Sequence, residues 1–487
     1  MLINSFEFAI LFPIIFFVYW AIPSRYNKIR NLFLLIVSYL LYMNWKPAFA
    51  LVLLGVTLVT YWGGQVLQLG DSGEEIKVGQ NRKRLAWCFA LMGLLPLLVF
   101  KYYNFINDSV TSGLASVGLQ FSLPGLNWAI PVGISFFSFQ AVGYMLDVYK
   151  GRVKAEKSFL DYALFVSFFP QVTSGPISTA GELMPQIKKI HTFSYDQIVT
   201  GLRLLLWGLF LKIVVADRLG LYVDTVYADI SKFPGTNCFV ASLFYTLQIY
   251  ADFAGYSLMA VGIAKTIGFN LINNFERPYF AASITEFWKR WHISLTRWLT
   301  THVYINLGGN RCSKPKQYFN VIITFLISGL WHGANWTFVI WGAIHGLLQV
   351  FEKAIWGDSI KKEIKQKSIK LSWSRLLRII VTFNLVNIAW VFFRMPSTDQ
   401  ACAVIAKITS IFSGNLSFSG EGIDIIAYLP FALLPLFLFD SMKEYAPKVY
   451  NYMFSRSYIR WSIYIILIVM VLLIGVVDGS QFIYVSF

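Results

Sequence analysis

The chain has 487 residues, of which 56% are hydrophobic and only 14% charged, whereas a soluble protein charges roughly a quarter of its residues. That balance excludes a soluble globular class, and the 43 Phe, 26 Tyr and 16 Trp suit a polytopic membrane protein with aromatic belts at its interfaces. A net charge of +16 would favour nucleic acid in a soluble protein, but no nucleic-acid motif is present. Basic residues crowd the cytoplasmic loops of any multi-span protein, so nucleic acid is not an expected partner and membrane lipid is.

The N-terminal stretch MLINSFEFAILFPIIFFVYWAIPS has no basic residue ahead of its apolar run, as a cleaved signal peptide normally would. It is expected to be a first transmembrane helix that stays. Further runs able to cross or enter a bilayer fall near 31–46, 48–64, 85–103, 128–148, 159–178, 197–216, 238–263, 318–350, 376–393, 425–440 and 461–478. RYNKIR (25–30), NRKR (81–84), KGRVKAEK (150–157), the stretch 265–317 and KKEIKQKSIK (361–370) are rich in Lys and Arg. The stretches 104–127, 217–237 and 394–424 carry acidic residues with few basic ones. The positive-inside rule places the first group in the cytoplasm. Alternation then works only if 159–178 and 318–350 each enter and return. About ten single crossings remain, with both chain ends extracytoplasmic.

The two exceptions predict an interior. FFPQVTSGPIS (168–178) and SGLWHGANW (328–336) put proline, glycine and small polar residues at membrane depth. Broken backbone there is tolerated only where protein or water surrounds it, so both are expected to line a cavity. No internal repeat is visible, and the inverted-repeat transporter pattern lacks support.

A third feature is ITEFWKRWHISLTRWLTTHVY (284–304). Ile284, Phe287, Trp288, Trp291, Leu295, Trp298 and Leu299 share one helical stripe, with Glu286, Lys289, Arg290 and Arg297 opposite. The pattern predicts one amphipathic helix lying in the membrane interface. Its cations Lys289, Arg290 and Arg297 would meet lipid headgroups or the phosphates of a substrate arriving from the cytoplasm.

Among five histidines, His332 stands out. It lies between two apolar runs with Gly329 and Gly333 beside it, and those glycines would thin the wall around the ring. Ser328 and Asn335 could line the same space. Burial disfavours a charged imidazole, so the ring would be neutral and ready to take a proton from a hydroxyl. His345 fits a helix-packing hydrogen bond, and His302 a belt residue on the apolar stripe. No Ser-His-Asp spacing or GxSxG elbow indicates a side-chain nucleophile. No HExxH or other ligand cluster indicates a metal. Cys88, Cys238, Cys312 and Cys402 are far apart and read as packing residues.

Several ordered blocks, namely PVGISFFSFQ, FPQVTSGPI, QIYADFAGYSLMAVG, WKRWHISLTRWL, YINLGGNR and SGLWHGANW, resemble the membrane-bound O-acyltransferases. The nearest likeness is to the bacterial branch typified by the membrane subunit of alginate O-acetylation, with the D-alanyl transferases of teichoic acids as cousins. The resemblance runs from about residue 6 to the closing FIYVSF. It implies an all-α polytopic fold, a ring of transmembrane helices around a thin centre. It also implies that His332 is the essential tunnel histidine and His292 a second characteristic histidine nearer the cytoplasm. Trp331, Gln171, Asp252 and Tyr256, in the matching blocks, are expected to line the cavity or meet substrate. Leu258, Thr300, Thr301 and Asn306 depart from the branch, standing where an aspartate, an Arg-Asp pair and a proline are usual.

The expected activity is O-acyl transfer, with no bound cofactor. The donor would be acetyl-CoA on the cytoplasmic side, or alternatively an acyl carrier protein thioester. The acceptor would be a hydroxyl on an extracytoplasmic glycan or on an SGNH-type relay protein, and the site the bacterial inner membrane. The competing reading is a transporter or lipid flippase that uses the same cavity without making bonds. A polytopic glycosyltransferase would want acidic residues in the first outer loop, MNWKP, which has none.

Overall fold

A computed structural model describes residues 3–68, 80–365, 371–414, 416–421 and 426–476, with the side chains of 80 and 358–365 left aside. The second half of KKEIKQKSIK and the closing FIYVSF lie outside the described residues. Every regular element among those described is helical. Lipid offers backbone groups no hydrogen bonds, so a spanning segment must satisfy them internally. Among the described residues, six helices are long and apolar enough to cross a membrane: Pro47–Leu67, Asn81–Ser116, Tyr195–Ala228, Trp336–Gly357, Trp373–Arg394 and Ser457–Ile474. A seventh span arises if Phe6–Ala21 and Ser24–Met43, bent by 105°, count as one. The protein is an all-α polytopic integral membrane protein.

The chain forms two compact units, Met1–Leu205 with Ala260–Ile272, and Leu206–Met259 with Asn273–Phe487. In the first, the stretch 159–178 begins as the nine-residue helix Phe159–Ser167. At 1.5 Å per residue it is about 14 Å long, too short to cross about 30 Å of hydrocarbon. The following turns are buried, and protein groups satisfy them. Phe169 N–H donates to Ser38 Oγ at 3.0 Å, and Ser178 N–H donates to Gln140 Oε1 at 3.3 Å.

In the second unit, the stretch 318–350 forms a helical hairpin, Lys314–His332 and Trp336–Lys365, turning at 333–335. Asn335 Oδ1 accepts from Thr337 N–H at 3.0 Å, an N-cap that starts the return helix. Gly329 and Gly333 permit close approach here. A Cβ on either would collide with Phe338, on its carbonyl or its ring. The glycines therefore do not thin the wall beside His332, because Phe338 fills the space they leave.

The stretch 284–304 is not one interfacial helix. It is Ile284–Arg290, then Ile293–Leu299, then a π-type turn over Thr300–Tyr304. The break falls at His292, whose φ of 43° is left-handed. Trp288 and Trp291 are buried in a protein core with Trp341 and Trp390. Protein covers most of the apolar stripe, with Ile284, Phe287, Trp288, Trp291, Leu295 and Leu299 buried and Trp298 half-buried.

Candidate active site

Four helical faces build a cavity of about 250 Å³ in the second unit. Thr285, Trp288 and Lys289 come from the first short helix, and Leu295, Thr296 and Leu299 from the next. Val321, Thr324, Phe325 and Ser328 recur at helical spacing on one hairpin arm, and Gln349, Glu352 and Lys353 on the other. Thr300, Tyr304 and Asn310 complete the wall. Ser328 is four residues before His332 and shares its helical face, while His332 itself does not line the cavity.

His332 is 2% exposed and His292 fully buried. Their ring centroids are 6.4 Å apart. Trp331 touches both, at 4.9 Å from His332 and 5.6 Å from His292. Trp341 and Phe393 close on His332 at 5.0 and 5.2 Å, and Phe253 on His292 at 4.7 Å. Burial drives the His292 imidazole down to a pKa of about 3, so that ring is neutral at neutral pH. A left-handed backbone at a non-glycine residue costs about 1–2 kcal/mol, and neighbouring bonds hold it at His292. Asn274 accepts twice: its carbonyl from Ile293 N–H at 3.0 Å, and its Oδ1 from Ser294 N–H at 3.2 Å. On the other side of the break, Glu276 N–H donates to the Arg290 carbonyl at 2.9 Å.

The structure brings His332, His292 and Trp331 together, and it places Ser328 and Lys289 on the cavity wall, to which neither histidine belongs. The other expected residues have the following surroundings. Arg290 is committed to carboxylates, Glu286 at 2.6 Å and Glu444 at 2.8 Å, because a half-buried guanidinium needs paired charge. Arg297 is half-buried and is not among the residues lining the cavity. Asn335 caps a helix and donates to the Pro396 carbonyl at 2.9 Å. Asp252 belongs to a buried ion triad, with Lys212 at 2.7 Å from both Asp217 and Asp252. Tyr256 is fully buried. Gln171, in the first unit, accepts from Ser178 Oγ at 2.9 Å within its own loop. Among the departures, Leu258 packs on the hydrophobic core and Thr300 lines the cavity.

Sequence reasoning missed Lys353, whose ammonium donates to Asn310 Oδ1 at 3.2 Å and Tyr304 Oη at 3.4 Å. A signal was there: His345, Gln349 and Lys353 follow one another at four-residue steps on one helix face. Glu352 was missed as well. Its carboxylate accepts from Ile284 and Thr285 N–H at 2.8 and 2.7 Å, fixing the start of the helix that carries Trp288 and Lys289. His345 packs as expected, with its Nδ1 accepting from Trp288 Nε1–H at 3.3 Å.

Comparison with known proteins bears on this arrangement. The family model for membrane-bound O-acyltransferases matches residues 154–392, a span that contains both histidines and the whole cavity lining. The probable alginate O-acetylase AlgI of Azotobacter vinelandii is 38% identical over 86% of this chain and 80% of its own. The peptidoglycan O-acetyltransferase of Helicobacter pylori is 33% identical over 84% of this chain and 80% of its own. The teichoic acid D-alanyltransferase of Bacillus subtilis is more distant, 25% identical over 70% of this chain and 84% of its own. Bond-making chemistry is thereby favoured over transport, and the chain belongs to the membrane-bound O-acyltransferase family.

Proposed function

We propose that this protein is an O-acetyltransferase of the bacterial inner membrane. It would pass an acetyl group from cytoplasmic acetyl-CoA to a hydroxyl of an exported polysaccharide, directly or through an extracytoplasmic relay protein, with both chain ends extracytoplasmic. One observation carries the reading: His332 lies one helical turn beyond the cavity residue Ser328, in a buried aromatic box with His292. The names of the relatives, an alginate O-acetylase and a peptidoglycan O-acetyltransferase, support an acetyl group and a glycan acceptor. A cavity of about 250 Å³ would take the acyl-thioester end of the donor. Its mouth residues Lys289, Thr300, Tyr304 and Asn310 belong to the basic stretch 265–317, which charge places in the cytoplasm. Lys289 and Lys353, both on the cavity wall, would meet the donor's phosphates.

A ring nitrogen of His332 takes the proton of the acceptor hydroxyl while that oxygen attacks the thioester carbonyl carbon. Negative charge gathers on the carbonyl oxygen, to which His292 donates an N–H. The C–S bond breaks, the thiolate takes the proton back from the His332 imidazolium, and the ester and free thiol leave. The test is His332→Ala in purified protein with labelled acetyl-CoA, read by mass spectrometry of the glycan. The expected result is a folded, donor-binding protein that transfers nothing. Full transfer by that variant would refute the assignment. Glycan moved across vesicles with unchanged acetyl content would favour the flippase reading.

A further inference from the structure

His292 is the only non-glycine residue besides Arg277 with a left-handed backbone among the described residues, and the break it makes decides where its ring points. Had 284–304 run on as one helix, His292 would have followed Trp291 around the helix barrel. Instead the chain reverses its curl at one residue, and the imidazole faces Trp331 and His332. A conformation that sidechain-bearing residues disfavour persists only where neighbours over-determine it.

We propose that Asn274 is the positioning residue that holds the His292 ring in the site; this rests on the role given to His292 above. Asn274 is 1% exposed and lies next to the break, not in the cavity. Its carbonyl takes the first N–H after His292 and its side-chain Oδ1 the second. These are two of the donors that a helix start leaves unsatisfied, and His292 supplies no side-chain cap of its own. Asn274 thus caps the helix Ile293–Leu299 from a remote segment and locks the residue in front of it. Mutation removes only the Oδ1 half of this clamp and leaves the backbone half in place. The ring would then sample other orientations while the cavity stays intact, so catalysis should suffer and donor binding should not.

The experiment compares wild type, Asn274→Ala, His292→Ala, His292→Gly and the Asn274→Ala/His292→Gly double variant. It reads kcat and KM for acetyl-CoA, and thermal midpoints in detergent. Asn274→Ala is expected to lower kcat at least about tenfold with KM unchanged within about twofold, a loss of about 1.4 kcal/mol in transition-state stabilisation. Its thermal penalty should shrink in the His292→Gly background, because glycine takes the left-handed conformation without strain. If Asn274→Ala alone does not fold, His292→Gly should restore folding. Equal penalties in both backgrounds, or no rescue, would make Asn274 an ordinary packing residue and overturn the proposal. So would a wild-type kcat in Asn274→Ala when His292→Ala is inactive. An unaltered rate in His292→Ala would instead remove the catalytic role of His292, a result the thermal coupling between the two positions keeps separate.

Discussion

The arginine–glutamate cluster around Glu444 and the histidine pair around His332 lie in the same unit and are both largely buried, yet they are held by different forces. In the cluster, Glu444 binds Arg277 and Arg290, each at 2.8 Å, and Glu286 binds Arg290 and Arg375 at 2.6 and 2.9 Å. Each carboxylate serves two cations, so the geometry is fixed by charge. The histidines are walled by Trp331, Trp341, Phe393 and Phe253. Ring contacts set the plane of an imidazole and exclude water without adding charge. The first arrangement suits a brace. The second suits a group whose proton must come and go.

The sharpest way to break this contrast is to remove one member of each. Losing a general base costs about 10²–10⁴ in rate, so His332→Ala should lose transfer on at least that scale and still fold, with a thermal midpoint lowered by the cavity left among the rings. Glu444→Ala leaves Arg277 and Arg290 without that carboxylate, and breaking a buried pair destabilises by about 3–5 kcal/mol. The expected outcome is a sharp loss of folded protein in size-exclusion profiles. An unfolded His332→Ala together with a stable Glu444→Ala would reverse the assignment of brace and site.

The same contrast governs what the sequence revealed. His332 was legible because a lone ionisable ring between apolar runs is costly unless it is used. The breaks at 168–178 and 333–335 were legible because proline and glycine punctuate apolar runs. The helical stripe of 284–304 was legible too, but its burial was not. Periodicity reports an apolar face without saying whether lipid or protein covers it. The ion pairs of Arg290 and Asp252 were not legible for a related reason. Their partners Glu444 and Lys212 stand far off in the chain or on another turn, and a charge whose partner is unknown looks available. Asn274 carried no local signal, since the helix it caps begins some twenty residues later.

A smaller effect probes the cavity mouth. Lys289 is exposed, and Lys353 is partly exposed beside Tyr304 and Asn310. Contacts from such positions are worth about 1 kcal/mol or less. Lys353→Met should therefore raise the acetyl-CoA KM by up to about fivefold and leave kcat alone. Raised salt should do the same to the wild type and less to the variant, since exposed charges are screened. A KM that ignores both salt and the substitution would remove the lysines from donor binding and leave them as lipid contacts.

The smallest effect is the dependence of stability on pH carried by His292. Its folded pKa of about 3 lies below the ordinary value of about 6.5, and burial is the cause. Below pH 6.5 the unfolded chain takes up a proton that the folded ring refuses, so the unfolded state binds more protons and stability falls as pH falls. The window runs from about 6.5 down to about 3, and above it this ring contributes no slope. Between pH 7 and pH 6 the change should be less than about 1 kcal/mol. His292→Asn is the comparison to make, because asparagine tolerates the left-handed backbone and does not titrate. The thermal midpoint of the wild type should fall more steeply than that of His292→Asn as pH is lowered through 6. Parallel curves would mean that the ring reaches water in the folded protein, and the division between a charged brace and a dry, ring-walled site would no longer hold.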